Sequence, residues 1–298
     1  MSNQIIKPAR NWVKEKISNI NNELDRENKK KNTQDNSKVI YLPYKDGVDS
    51  FVIPKSSEKY DICVQGLPIP PEKLWLGYGK NKDEYLYGTE QIDKMLDILK
   101  KSGFTISGGN KILDFGCGAG RMIRWLKPYA ETCEIWGTDI SSDHIFWAKK
   151  YLRPPFNFAT TTTIPHLPFK DSYFDLIYCG SVFTHIDDLT DSWLLELRRI
   201  LNPDGRLYFT IHDKNSIELI NSIPEYKSLW LAEYMNSNIP FAKYLDSDFN
   251  MAVGGRGYEA QVFYDVDYFC DSIKTIFETV SVTQEAYGFQ TGILLKGK

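Results

Sequence analysis

Asp114-Phe115-Gly116-Cys117-Gly118-Ala119-Gly120 is the segment whose residue types and spacing promise chemistry. It continues the apolar run Lys111-Ile112-Leu113 and precedes a helical pattern from Arg121 to Pro128. Glycines at alternate positions let a chain turn sharply and bring its backbone close to a ligand. A helix behind such a turn offers unpaired N–H groups and the positive end of its dipole. Roughly twenty residues on, Asp139 closes a second strand, where a carboxylate can accept hydrogen bonds from ribose hydroxyls. Together these features describe a nucleotide cradle. The spacing is GxGxG and not the dinucleotide pattern GxGxxG, and an acid precedes the first glycine by two. A carboxylate at Asp114 repels a pyrophosphate and suits a cationic or amino-bearing ligand.

The surrounding pattern supplies the elements that would position these groups. Strands are expected at Lys111–Phe115, Glu134–Gly137, Phe156–Thr160, Phe174–Cys179 and Arg206–Ile211. Helices are expected at Arg121–Pro128, Ser142–Leu152 and Leu189–Leu201, the last stopped by Asn202-Pro203-Asp204-Gly205. Such alternation makes a doubly wound parallel sheet. Upstream, Thr89 opens a helix with Ile92, Leu96 and Leu99 on one face, ending at Gly103. After His212 the alternation breaks. Residues 213–260 are irregular and aromatic, with a loop at Gly254-Gly255-Arg256-Gly257. Tyr264 to Phe277 reads as a helix, and Phe277–Glu285 with Phe289–Lys296 as two strands joined around Gly288. Residues 1–38 read as a polar helix and linker, with Val13, Ile17, Ile20 and Leu24 in one stripe. Residues 39–88 read as an extended arm packed on a domain spanning 89–298.

Composition narrows the class. With 42% hydrophobic and 25% charged residues in 298, wholesale disorder is excluded. No apolar run approaches the roughly 18–20 residues of a membrane span, so no membrane partner is expected. The opening residues Met1 to Pro8 lack a signal peptide's apolar stretch. A net charge of −3 disfavours a nucleic-acid partner. Cys63, Cys117, Cys133, Cys179 and Cys270 are too far apart for a metal knuckle, which points to reduced thiols in a cytoplasmic protein.

Four blocks, in order, resemble the class I S-adenosylmethionine-dependent methyltransferases. They are Leu113–Gly120; Gly137-Thr-Asp139-Ile-Ser; His166-Leu-Pro-Phe169 with Phe174-Asp-Leu-Ile-Tyr178; and Leu194–Thr210 through Leu201-Asn-Pro-Asp-Gly205. The resemblance covers about Leu113 to His212. It implies a Rossmann-like methyltransferase fold: a doubly wound, seven-stranded, mostly parallel α/β sheet with an antiparallel final strand. To this the chain adds an N-terminal helical or extended arm and an aromatic-rich lid inserted after the fifth strand. The implied cofactor is S-adenosylmethionine. Asp114, Gly116, Cys117, Gly118 and Gly120 would cradle its methionine part, and Asp139 its ribose. Ile140 would pack on the adenine, with Thr161 and Thr162 near the adenine edge, and Gly180 and Ser181 would face the methyl group. Cys179-Gly180-Ser181-Val182 stands where amino-methylating relatives carry an Asn/Asp-Pro-Pro-Tyr/Phe block. It also lacks the acid that holds magnesium in catechol-type relatives, so no metal is expected.

The expected reaction is therefore a metal-independent methyl transfer to a small-molecule acceptor, a sugar or other hydroxyl-bearing metabolite. Competing readings are a non-catalytic scaffold on the same fold and a nicotinamide-dependent oxidoreductase. A hydroxyl acceptor benefits from a general base. His185, after the fourth strand, and His212, at the end of the fifth, are the candidates; the alternative for His185 is a helix start that bonds locally. His144 is expected on an exposed helix face and His166 in a structural role. Arg121 and Arg124 read as surface or salt-bridge residues, with Arg121 able to reach an acid near the cofactor. Tyr85 and Tyr87 are candidate lid residues, and Trp230 a candidate for the substrate wall.

Overall fold

The computed structural model describes residues 65–75, 78–79, 81–227, 229–256 and 260–298. The helix and linker read over residues 1–38, the first part of the arm and Cys63 lie outside the described residues. Short runs dense in Ile, Leu, Phe and Tyr have no face to offer water and become central strands covered on both sides. Lys111–Phe115 (β1), Glu134–Asp139 (β2), Asn157–Thr160 (β3), Phe174–Cys179 (β4) and Leu201–Ile211 (β5) pair in parallel. Met251–Gly254 (β6) and Gln261–Tyr264 (β7) form a separate antiparallel pair. Phe277–Tyr287 (β8) and Gln290–Gly297 (β9) form a hairpin whose second strand lies antiparallel beside β5. The main sheet has seven strands in the order β3-β2-β1-β4-β5-β9-β8, as the resemblance implies.

Alternate strand residues feed two cores. Ile112, Leu176, Tyr178 and Tyr208 meet Ile92, Met95 and Leu99 of the helix Gly88–Lys101. Leu113, Ile177, Cys179 and Phe209 meet Trp193, Leu194 and Leu197 of the helix Thr190–Ile200. Because the side chains switch sides at every residue, a one-residue slip in β4 would exchange these partners.

Several boundaries differ from expectation. The segment after the glycine loop is a 3-10 helix, Ile123–Tyr129, and not an α-helix from Arg121 to Pro128. Pro128 lies inside it and offers no N–H, and Trp125 N–H donates to Met122 O three residues back. The helix read from Tyr264 to Phe277 is confined to Val266–Ile273. Asp265 caps it by accepting from Tyr268 N–H, and Tyr264 belongs to β7. The described part of the arm is irregular from Gln65 to Pro71. It then forms a 3-10 turn, Glu72–Leu74, and a short helix, Lys82–Leu86, capped by Asn81. Residues 213–260 hold the helices Lys214–Ser222, Pro224–Lys227, Trp230–Ser237 and Ile239–Leu245. Their apolar faces gather Ile220, Leu231, Met235 and Phe241 around Phe263 of β7. Among the described residues no helix is long and apolar enough to cross a membrane.

Candidate active site

Parallel strands end on one side of a sheet, and the loops that follow them converge there. In this chain they enclose a cavity of about 460 Å³. Asp114, Gly116, Cys117 and Gly118 line it from β1 and its loop, Asp139 and Ile140 from β2, and Thr161 from β3. Gly180, Ser181 and His185 line it from the segment after β4. Tyr85 joins from the N-terminal side and Tyr287 from the end of β8.

The glycine loop is held by backbone bonds. Gly116 and Cys117 both donate to Thr138 O, at 2.8 and 2.9 Å. Gly116 sits at φ 81°, and a Cβ there would come within 2.4 Å of Val182 Cγ2, so the turn needs glycine on both counts. Asp139 Oδ2 accepts from Gly118 N–H and Oδ1 from Ser141 N–H, both at 2.8 Å. Each carboxylate oxygen keeps a second lone pair for a ligand hydroxyl. Asp139→Ala therefore removes a ligand group and leaves two buried N–H groups unpaired. Stability should drop by about 2–4 kcal/mol, along with nucleoside affinity, in urea unfolding and calorimetry. A variant as stable as the parent would refute the tie to the loop.

Asp114 is 2% exposed, and its Oδ2 lacks a well-formed hydrogen bond. Burial pushes its pKa up to about 7; the nearby Tyr178 hydroxyl and Arg121 pull it down, while Asp139 adds to the rise. Such a carboxylate is primed for a cationic partner.

The two candidate bases separate. His185 lines the cavity, and its Nδ1 lies 2.9 Å from Ala260 O. A carbonyl can only accept, so Nδ1 carries the proton and Nε2 keeps a lone pair. Burial lowers the pKa of His185, which keeps it neutral. His212 is not in the cavity wall. Its backbone bridges to Phe263, and its ring lies between those of Phe263 and Phe289, at 4.8 and 5.5 Å. Neither ring nitrogen is hydrogen-bonded, and burial with the nearby His185 pushes its pKa down to about 3. The expectation of His212 as a base is therefore corrected: β5 and β7 pair across it and turn it into the core. A histidine kept neutral when folded destabilises the protein as pH falls below about 6.5. Urea unfolding should show His212 costing about 2 kcal/mol between pH 7 and 5, and His212→Phe should remove that loss.

Other expected positions also move. Thr162 is exposed, and its hydroxyl accepts from Ile164 N–H outside the cavity. Gly120 lies behind the loop, where a Cβ would meet Leu152 Cδ1 at 2.4 Å; its role is backbone geometry. Tyr87 begins the helix Gly88–Lys101 and is 54% exposed, away from the cavity. Trp230 is exposed, stacks on Tyr234 at 5.2 Å and does not line this cavity. Tyr85 is buried and stacks on Trp75. His144 is fully buried, not exposed, with Nε2 3.2 Å from Leu74 O. His166 is exposed, beside Glu196. Arg124 is buried as well, donating to Gly120 O and Pro68 O and clamping the arm to the glycine loop.

Tyr287, Asp187 and Trp193 line the cavity without having been singled out for it. Arg121 does so too, from a position read as surface. Its place directly behind the glycine loop was the available signal; Tyr287 lies 166 residues further on and gave none.

Residues 113–209 match a family model described as a methyltransferase domain. Over those residues the chain is similar to S-adenosylmethionine-dependent methyltransferases. The methyltransferase GfsG of Streptomyces halstedii is 31% identical over 126 residues, 40% of this chain and 41% of that protein. A ubiquinone/menaquinone biosynthesis C-methyltransferase, UbiE, of Paraburkholderia xenovorans (strain LB400) is 29% identical over 172 residues, 55% of this chain and 68% of that protein. The chain thus spans about two fifths of the first relative and about two thirds of the second. The solved structure of the PH0226 protein from Pyrococcus horikoshii OT3 shares the fold. Its TM-score is 0.51 at 21% identity, covering 74% of this chain and 95% of that one. The cofactor of this methyltransferase family is S-adenosylmethionine, and the cavity suits it. An orphaned buried carboxylate oxygen at Asp114, a loop with no room for a Cβ at Gly116, and a tethered acid at Asp139 match an amine, a close-packed chain and a ribose.

Proposed function

We propose that the protein is a metal-independent methyltransferase acting on a small molecule, and that it methylates a hydroxyl of a sugar or other metabolite. One observation carries the reading of the acceptor side. A neutral histidine, His185, stands in the cofactor cavity with Nδ1 tied to Ala260 O, which leaves Nε2 to take a proton. In this reading Asp114 and the loop Gly116–Gly118 hold the methionine part and Asp139 the ribose. Ile140 and Thr161 border the adenine, and Gly180 and Ser181 border the methyl group. When bound, S-adenosylmethionine supplies a methyl group activated by its sulfonium charge.

The residues of the chain then do two things. The walls Trp75, Tyr85 and Trp193 keep water away and help align the acceptor. His185 Nε2 takes the acceptor proton as its oxygen becomes nucleophilic, and the histidine afterwards returns that proton to solvent. A carbon acceptor is the second reading, favoured by the C-methyltransferase activity named for the UbiE relative. Screening hydroxyl-bearing and enolisable compounds with a methyl-labelled donor tests the proposal. Label in an ether supports the first reading and label on carbon the second. Tight binding of NAD, with none of S-adenosylhomocysteine, would overturn both.

A further inference from the structure

Ser181 holds a left-handed backbone conformation, with φ at 58°, which a residue other than glycine keeps only under local constraint. The constraint is a closed ring of hydrogen bonds behind the cavity wall. Ser181 N–H donates to Thr210 Oγ1 of β5 at 2.8 Å. Thr210 then has its own proton to place, and its Oγ1 lies 2.6 Å from Oε1 of Gln290, the first residue of β9. An amide with its carbonyl toward Thr210 turns its NH2 toward Ser181, and Nε2 donates to Ser181 Oγ at 2.8 Å. Thr184 Oγ1 approaches the same serine oxygen at 3.1 Å. Thr184, Thr210 and Gln290 are all buried, and none of them lines the cavity.

The ring decides which way the Ser181 hydroxyl faces. The Thr184 hydroxyl is fully buried and has no other partner among the described residues, so its proton goes to Ser181 Oγ. A serine oxygen has two lone pairs, and Gln290 and Thr184 occupy both. The Ser181 proton is left with the cavity that this residue lines. His185, four residues on in the same wall, offers the opposite group: Nε2 with a lone pair and no proton. An alcohol oxygen satisfies both and keeps what the reaction needs. It has a proton for His185, one lone pair to accept from Ser181 and a second to attack. An amine has a single lone pair, and accepting from Ser181 would use it. We infer that Ser181 is a specificity-determining donor to the acceptor, held in that role by Gln290 and Thr184, and that it selects an alcohol oxygen over an amine nitrogen. This rests on the proposed reading of His185 as the base and of Ser181 beside the methyl group. As the acceptor oxygen bonds to the methyl carbon, the carbon–sulfur bond breaks and its electron pair stays on sulfur. The acceptor proton passes to His185 Nε2, and the Ser181 proton stays on the serine.

The test titrates the whole chain and three variants by calorimetry with S-adenosylhomocysteine and with sinefungin, which carries an ammonium where the cofactor carries its methyl. An ammonium only donates, so it finds no partner in a hydroxyl that also only donates. The readout is the ratio of the two affinities, in which a general loss of grip on the nucleoside cancels. In Ser181→Ala that ratio should stay within about twofold of the parent or move toward sinefungin. Thr184→Val keeps the shape and frees a lone pair on Ser181. Gln290→Glu draws the Ser181 proton to its own carboxyl oxygen and frees a lone pair as well. Both should move the ratio toward sinefungin by about 10-fold. A roughly 10-fold loss of sinefungin relative to S-adenosylhomocysteine in Ser181→Ala would overturn the inference, because Ser181 would then be an acceptor in the parent. A ratio unchanged in both other variants would overturn it in favour of a purely structural ring. With a methyl-labelled donor and compounds carrying both groups, label is expected on oxygen, and label on an amine nitrogen would overturn the selectivity. Parent protein that binds neither nucleoside would overturn the cofactor reading itself, and the inference with it.

Discussion

Asp114→Asn should make the ligand-free protein more stable and nearly abolish its binding of S-adenosylhomocysteine. The two effects have opposite signs for one reason. The carboxyl of Asp114 ordinarily titrates at 3.8, and burial raises it to about 7 in the folded chain. A carboxyl whose folded pKa is raised contributes its full stability below the unfolded value. That stability is lost as pH climbs, and the cost is complete once pH passes about 7. Holding the charge there costs up to about 4 kcal/mol. An asparagine carries no charge to desolvate, so at pH 8 the variant should gain about 2–4 kcal/mol in urea unfolding. It also offers an ammonium no negative charge, only a neutral acceptor, so affinity for S-adenosylhomocysteine should fall about 100-fold. In the parent, affinity should rise as pH increases through about 7, because an ammonium beside Asp114 favours its ionised form. In the variant that slope should vanish. A variant that is less stable at pH 8 and still binds would refute the assignment.

The second large effect concerns turnover. His185→Ala should reduce it by about 10²- to 10⁴-fold once an acceptor is in hand, with affinity for S-adenosylhomocysteine unchanged. His212→Phe should leave turnover intact, because that ring sits between Phe263 and Phe289 and outside the cavity wall. Burial keeps His185 neutral, so the acid limb of the pH profile should lie below the ordinary histidine value of 6.5. Equal losses from the two substitutions would return the base to the fifth strand. No loss from His185→Ala would leave alignment alone to account for the rate.

The framework of the site is legible in the sequence because local rules write it. Leu113 to Gly120 is a strand, a turn that needs glycine and a helical start, and Asp139 falls where the neighbouring parallel strand must end. What is hidden depends on partners far along the chain. Arg121 reads as a surface residue until Tyr287 of the C-terminal hairpin covers it. His144 reads as an exposed helix position until the arm lays Leu74 across it. His212 ends a strand, as an active-site residue should, but Gln261-Val262-Phe263-Tyr264 is too short an apolar run to separate from the helix behind it. Only its pairing beside His212 shows that the ring faces inward. The aromatic insertion follows the same logic: periodicity shows that its helices have an apolar side, but not that Trp230 would be left on the other.

The place of β9 in the sheet bears on how the protein is made. That strand lies between β5 and β8, and the hairpin carrying it brings Tyr287 to the cavity and Gln290 to the hydroxyls of Thr210 and Ser181. A ribosome adds about 5–20 residues each second, and chains fold from their N-terminal side as they emerge. Throughout that time Asp114, Gly116 and Asp139 wait on a sheet with an open edge along β5. A nascent chain halted before residue 287 would hold the glycine loop and Asp139 yet lack Tyr287 beside Arg121. Completion of the cavity wall is thereby deferred until the hairpin has folded. A released fragment ending before Phe277 and the released full chain should differ sharply in their protection by S-adenosylhomocysteine against proteolysis.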